Sequence, residues 1–280
     1  TIKLSVLDQS PIHDGKQARS GLSDTVKLAQ ICEDLGYYRY WLAEHHDTKG
    51  YASPAPEIMI PAVASATKTI RVGSGGIMLN HYNPFKVAET FNVLKALYGD
   101  RIDLGIGRAN GSNYITARAI NSSSNQGYPE KAMTLINCLD KNIAKEDYFS
   151  EFNLTPQDVG SLPVFLLGSS EGSSELAGYL GAGFCLALFI GTHNRPIDIM
   201  RDYKRQFRKS LNFQKPKAMI AVACICANSK SEAIKIASSH AYWKVQAFRH
   251  PVRDDFQKPE VVDRLLQRLS VDDRAYYQET

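Results

Sequence analysis

Glu44, His45 and His46 follow one another directly after the apolar run Trp41-Leu42-Ala43. A carboxylate beside two imidazoles can hold and pass protons near neutral pH. Neighbouring residues at the end of a strand point to opposite sides, so only one of the two imidazoles can face a given cavity. His45 is the candidate proton carrier and Glu44 its companion; a hydrogen-bonded structural histidine is the competing reading, more so for His46. The run Gly168-Ser169-Ser170-Glu171-Gly172-Ser173-Ser174 just before a predicted helix is a candidate phosphate seat. Small residues let the backbone approach, and hydroxyls and free helix amides point at an anion. A serine-rich helix cap reads equally well, and Glu171 and Glu175 would repel a phosphate that they faced. Gly75 and Gly76 mark either a place where a flat ligand presses on the backbone or a tight turn. Arg108, a lone guanidinium after an apolar run, pairs with a phosphate or carboxylate, or else joins a surface ion pair. No metal site is expected, because His13, His81, His193, His240 and His250 show no ligand pairing, and Cys224 and Cys226 on one strand face lack a second ligand pair.

These residues need elements to place them. Hydrophobic periodicity predicts strands at 2–7, 39–43, 70–73, 102–106, 164–167, 184–188 and 218–227. Helices are predicted at 23–36, 56–66, 84–97, 130–143, 173–180, 196–211 and 231–248, with Pro56 and Pro84 suited to a first helical turn. Strand alternating with helix predicts a parallel sheet with helices outside it. An open dinucleotide-binding sheet would carry a glycine fingerprint after the first strand, where this chain has Asp8-Gln9-Ser10-Pro11. The spacing of Gly105, Gly107 and Gly111 misses that fingerprint too. The expected fold is therefore a (β/α)8 barrel with a single domain over residues 1–280, and its candidate residues fall at strand C-termini, where such barrels place their active sites. The charged stretch 251–280 reads as helical and supplies no eighth strand. Either the last βα unit lies outside this sequence or something else closes the barrel. The segment from Asn110 to Tyr128 is a candidate wall or lid, or a polar surface insertion.

Composition narrows the partners. The 280 residues are 44% hydrophobic, which excludes disorder as the main state. A net charge of +4, spread along the chain, suggests neither a nucleic-acid nor a membrane surface. The longest apolar stretches are about half of the ~20 residues that a membrane helix needs, so a cytoplasmic protein is expected. Five cysteines, mostly in apolar settings, read as reduced core residues.

Several motifs recur in a fixed order: Trp41-Leu-Ala-Glu-His-His46, Val72-Gly-Ser-Gly-Gly-Ile-Met-Leu79, Asn83-Pro84, Arg101-Ile-Asp-Leu-Gly-Ile-Gly-Arg108 and Pro163-Val-Phe-Leu-Leu-Gly-Ser-Ser170. Together they resemble the bacterial luciferase-like flavin monooxygenases, specifically the single-chain luciferase-like oxidoreductases. The resemblance implies a barrel holding reduced FMN at its C-terminal mouth, where reaction with O2 gives a flavin C4a-peroxide that oxygenates a small organic substrate. It implies His45 as the catalytic histidine, Gly75-Gly76 as a cis peptide beneath the flavin ring, and Arg108, Ser169, Ser170 and Ser173 on the phosphate side. It also implies a separate flavin reductase that supplies FMNH2, and a homodimer paired through outer helices. Two departures stand out: Leu79-Asn80 where relatives often have Leu-Pro, and no second phosphate-binding arginine near Glu130, for which Lys131 is the candidate substitute. A flavin- or deazaflavin-dependent reductase on the same barrel and a non-catalytic FMN-binding protein are the alternatives.

Overall fold

The structure is a computed structural model that describes residues 2–12, 17–120, 127–145, 148–190, 196–250, 252 and 255–280. Its strands are β1 (Ser5–Asp8), β2 (Arg39–Leu42), β3 (Arg71–Ser74), β4 (Ile77–Met78), β5 (Ile102–Gly107), β6 (Val164–Gly168), β7 (Gly183–Ala187) and β8 (Ala218–Ala221). Its α-helices are α1 (Ala18–Asp34), α2 (Pro56–Ala66), α3 (Pro84–Tyr98), α4 (Tyr114–Ile120), α5 (Tyr128–Leu139), α6 (Glu171–Tyr179), α7 (Pro196–Gln206), α8 (Lys230–Arg249), α9 (Pro259–Leu265) and α10 (Val271–Glu279). All strand pairs are parallel, in the order β1-β2-β3-β5-β6-β7-β8, and the two-residue β4 lies alongside the end of β5. This is the expected barrel with its eighth position open: among the described residues β8 and β1 do not pair, and a seam runs between them.

The strand residues alternate between two layers. Tyr40, Leu42, Ile102, Leu104, Ile106, Val164, Leu166, Phe184 and Leu186 face outward and pack with the helices into one continuous core. Trp41, Phe165 and Cys185 face inward and fill the barrel with Leu7, Leu167, Met219 and Phe213. Burial pushes the Cys185 thiol up to about 12. Near the N-terminal end of the strands, the fully buried Asp103 accepts from Arg39 Nε at 3.1 Å, Arg71 Nη2 at 2.6 Å and Trp41 Nε1 at 3.3 Å. Two guanidiniums satisfy one carboxylate there, so this charge is paired inside the barrel.

Helix starts follow local chemistry. Asn83 caps α3 by accepting from the Phe85 amide at 2.9 Å, and Pro84 occupies the first helical position. Ser229 caps α8 by accepting from the Glu232 amide at 3.1 Å. At the far end of α1, Glu33 accepts from the amides of Lys68, Thr69 and Ile70, fastening that helix to the chain that enters β3.

The structure departs from the periodicity at several element ends, α5 closing at Leu139 and α7 at Gln206, short of their predicted ends, and β1 opening only at Ser5. Helix α1 begins five residues earlier than its apolar pattern, at Ala18. The last strand stops at Ala221, so Cys224 and Cys226 lie beyond it and are exposed, while Cys32, Cys138 and Cys185 are buried. β4 and α4 were not predicted; both are too short to show a period. Residues 121–126 of the proposed lid segment, together with His13 and His193, lie outside the described residues.

Candidate active site at the strand C-termini

Glycine shapes the barrel mouth. The Cβ of a residue other than glycine at 105 would lie 2.3 Å from the Ser74 carbonyl oxygen, and one at 76 would lie 2.7 Å from the Gly105 carbonyl oxygen. With both positions bare, the chain leaving β3 crosses close over β5, and Ser74 Oγ donates to the Gly105 carbonyl at 2.8 Å. The Gly75–Gly76 peptide in this crossing is cis. β4 then continues along β5, with Ile77 level with Ile106 and Met78 level with Gly107.

Beside this crossing, Glu44 is 1% exposed and spends both carboxylate oxygens. Its Oε1 accepts from the Tyr82 hydroxyl at 2.9 Å and lies 2.8 Å from His46 Nε2, while Oε2 accepts from the Met78 amide at 2.9 Å. Burial and the Glu44 charge raise the Tyr82 hydroxyl well above the usual tyrosine range, so it stays a donor. Tyr82 is thus a hydrogen-bond partner of Glu44. Burial also raises the carboxyl of nearby Glu57, helped by the Glu44 charge and opposed by its own backbone amide and by His46. The two adjacent imidazoles part company, as strand-end geometry requires. His46 bonds Glu44 and meets His81 edge-on at 5.6 Å, whereas the His45 ring lies against Tyr51 at 4.6 Å between centroids. His81 in turn lies 2.7 Å from the Asn110 carbonyl, and Asp47 accepts from Asn113 and Thr116, so the chain entering α4 is fastened to the loop after β2.

Across the mouth, strand register puts Arg108 level with Gly168, because Gly107 pairs with Leu167. Arg108 is exposed, and among the described residues no carboxylate pairs with it. The Asn80 side chain donates to its carbonyl at 2.9 Å, which gives the departure at Leu79-Asn80 a positioning role. At the end of β6, Ser170 occupies the N-cap of α6 yet makes no capping bond; its Oγ lies 3.1 Å from Ser173 Oγ. The serine turn is therefore not spent on capping its helix. Gly168 makes the arrangement possible, since a Cβ there would lie 2.3 Å from that of Ser173. Ser169 is half-buried, and the space around Gly172 in the first turn is open. Tyr128 at the start of α5 carries a buried hydroxyl without a hydrogen-bond partner. Its burial raises that hydroxyl above the usual range, and the Arg108 charge draws it back.

Lys131 does not supply the missing second arginine. It is 2% exposed, and its ammonium donates to the Asn80 carbonyl at 2.8 Å and the Tyr82 carbonyl at 3.1 Å, stapling the turn between β4 and α3. Burial lowers its pKa. The structure thus brings together Glu44 with His46, and Arg108 with the serine turn, and adds Tyr82, Glu57, His81 and Tyr128, which the sequence did not single out.

A family model described as luciferase-like monooxygenase matches residues 2–277. The chain belongs to the luciferase-like monooxygenases. It is therefore an oxidoreductase of the flavin-dependent monooxygenase class. This luciferase-like monooxygenase is 38% identical over 239 residues to "Luciferase-like monooxygenase" of Escherichia coli K12, covering 83% of this chain and 69% of that one. It is 36% identical over 248 residues to "N-acetyl-S-alkylcysteine monooxygenase" of Bacillus subtilis, covering 87% and 73%. Among solved structures it superposes on apo-MsnO8 with a TM-score of 0.86 at 33% identity, covering 97% of this chain and 80% of that one. The oxygenating constituent of 3,6-diketocamphane monooxygenase from Pseudomonas putida, solved with FMN, shares the fold at a TM-score of 0.66 and 17% identity, covering 90% and 76%. Among the described residues no helix is long and apolar enough to cross a membrane.

Proposed function

We propose that this luciferase-like monooxygenase binds reduced FMN at the strand C-termini and uses O2 to oxygenate a small organic substrate. The observation that carries the reading is the donor set at the ends of β5 and β6. Among the described residues, an exposed guanidinium without an acid partner, two hydroxyls not spent on their helix, a half-buried third serine and a buried phenol without a hydrogen-bond partner suit a phosphate monoester. Arg108, Ser169, Ser170 and Ser173 hold the phosphate, with Tyr128 as a further donor. The Gly75–Gly76 crossing, packed against Leu7, Trp41 and the β5 backbone, is the floor on which the flat ring lies.

When bound, the reduced flavin supplies the electron pair that splits O2, one oxygen going to the substrate and the other leaving as water. The chain does the rest. His45 holds and releases a proton at the reacting centre. Glu44 is a positioning residue, because both of its oxygens are already taken; it fixes His46, Tyr82 and the β4 backbone, and so the wall against which His45 works. Apolar lining of the barrel interior beneath keeps water out. A separate flavin reductase delivers FMNH2, and two copies pair through outer helices.

Oxygen uptake tests the reaction class. With reduced FMN and a substrate, the expected result is one O2 consumed per product and one labelled oxygen in the product from 18O2. Substrate turnover without O2 uptake would replace the reading with hydride transfer on the same barrel. Flavin binding without any substrate-dependent turnover would reduce the protein to a flavin carrier.

A further inference from the structure

Helix α8 reaches two loops at the mouth side of the barrel. On one flank, Trp243 meets Tyr51 edge-on at 5.7 Å, and Tyr51 lies against His45. Phe256 closes the group at 5.5 Å from Tyr51 and 5.4 Å from Trp243, and His240 stacks parallel to Trp243 at 6.2 Å. On the other flank, the next residue along the helix, Lys244, donates from Nζ to the Phe189 carbonyl at 3.3 Å, in the turn just after β7. The helix thus ties the loop after β2 to the loop after β7 with an aromatic box and a lysine side by side.

Lys244 is the anomaly in this group. It is only 6% exposed, yet among the described residues no carboxylate pairs with it, and one long bond to a carbonyl is its only described partner. A buried ammonium has three donors to satisfy, and leaving it without an anion is costly. Burial lowers its pKa, and its charge together with burial lowers that of His240, one helical turn earlier on the same face. A structural lysine is normally seated against an acid or reaches water. Among the described residues this one has no acid beside it, and it sits one residue from a tryptophan whose cluster touches the candidate catalytic imidazole.

We propose that Lys244 recognises the carboxylate of the substrate, and that the packed cluster of Tyr51, Trp243, Phe256 and His240 is the wall against which its apolar or aromatic body lies beside His45. The inference deepens the reading of the barrel mouth as the active site and rests on it. The anion could also come from the cofactor phosphate, whose seat at Arg108 and the serine turn lies two strand ends away at its far side; the test separates these sources.

The experiment titrates the intrinsic fluorescence of the full chain, in which Trp243 is one of two tryptophans, with benzoate, 3-phenylpropionate and octanoate and with their primary amides. The expected result is that at least one carboxylate binds about 10-fold or more tighter than its amide, the size of one charge-assisted hydrogen bond. Lys244→Met should abolish that preference and Lys244→Arg should keep most of it. Lys244→Met should melt no lower than the parent, because removing an unpaired buried charge does not cost stability. Absence of any preference for the acids, or a preference that survives in Lys244→Met, overturns the proposal. So does a Lys244→Met variant that loses affinity for reduced FMN but not for reduced riboflavin, which would assign the lysine to the phosphate. Calorimetric binding of reduced FMN is measured in parallel: FMN binding with no acid preference sinks this inference alone, whereas acid preference without FMN binding sinks the flavin reading and leaves the anion site standing.

Discussion

At the scale of single residues, the mouth divides its charged and polar groups by whether they are already spent. Glu44, His46, Tyr82 and Lys131 all have partners within the fold, and each one fixes a turn. Arg108, Tyr128 and the Ser170–Ser173 pair keep donors in reserve, which is what a binding site requires. His45 lies against Tyr51 of the aromatic cluster, and its proposed work is proton transfer. His45→Ala should therefore lower product formation by about 10²-fold or more, the usual share of a general acid or base, while leaving the dissociation constant of reduced FMN within about twofold. Measured together, turnover and flavin binding check this; unchanged turnover removes His45 from the mechanism. Before folding, Glu44 and His45 could be noticed because a carboxylate and two imidazoles are rare neighbours. The pairing of Glu44 with His46 could not, since it depends on which way the loop turns after β2. Tyr128 was hidden for a similar reason: nothing in a tyrosine before a proline marks its hydroxyl as orphaned.

At the scale of elements, strand ends carry the site and side chains from distant segments carry the strand ends. Strands such as β5, with all six residues buried, were readable as unbroken apolar runs between turn signals. β4 was not, because two residues have no period and its existence depends on bare glycines at 76 and 105 letting the chain cross. The serine turn was readable as a site or a cap, and the structure shows that Ser170 Oγ turns to Ser173 and makes no capping bond. Glu33 gives a check on one inter-element clamp. Against its burial, amide hydrogen bonds from Ile70, Thr69 and Lys68 and the Thr69 hydroxyl hold its carboxyl down at about 2. An unfolded glutamate titrates near ~4.3. Its folded value is depressed, so its contribution is complete above roughly pH 4.3 and is lost as pH falls toward about 2. Thermal unfolding of Glu33→Gln across that range should show lower stability than the parent at pH 6 and a gap that narrows by pH 3. A gap independent of pH would show that the clamp works through shape alone.

At the scale of the whole molecule, the barrel is sealed inside by aromatic packing and by the Arg39–Asp103–Arg71 cluster, and is left open at the β8–β1 seam, with α8 crossing the mouth side. The seven-strand count was legible from alternation alone, while the role of α8 was not, because its contacts join residues nearly two hundred positions apart. The outer helices expose Ile58 on α2 and Val93 and Leu97 on α3, at 70%, 46% and 66%. Adjacent exposed apolar side chains suit burial against a second copy. Sedimentation velocity at micromolar concentration should give a dimer, with Leu97→Glu shifting it to monomer at unchanged secondary structure; a monomeric parent would contradict pairing through this face.

The central claim is that the ends of β5 and β6 grip the phosphate of a reduced flavin. Anaerobic calorimetry with reduced FMN and reduced riboflavin, on the parent and on Arg108→Ala, measures this without depending on any substrate. The account predicts that FMN binds about 10- to 100-fold tighter than riboflavin, as expected for losing charge-assisted bonds, and that Arg108→Ala brings FMN down toward riboflavin while riboflavin hardly moves. No binding of either flavin, or equal binding of both that is indifferent to Arg108, would contradict it.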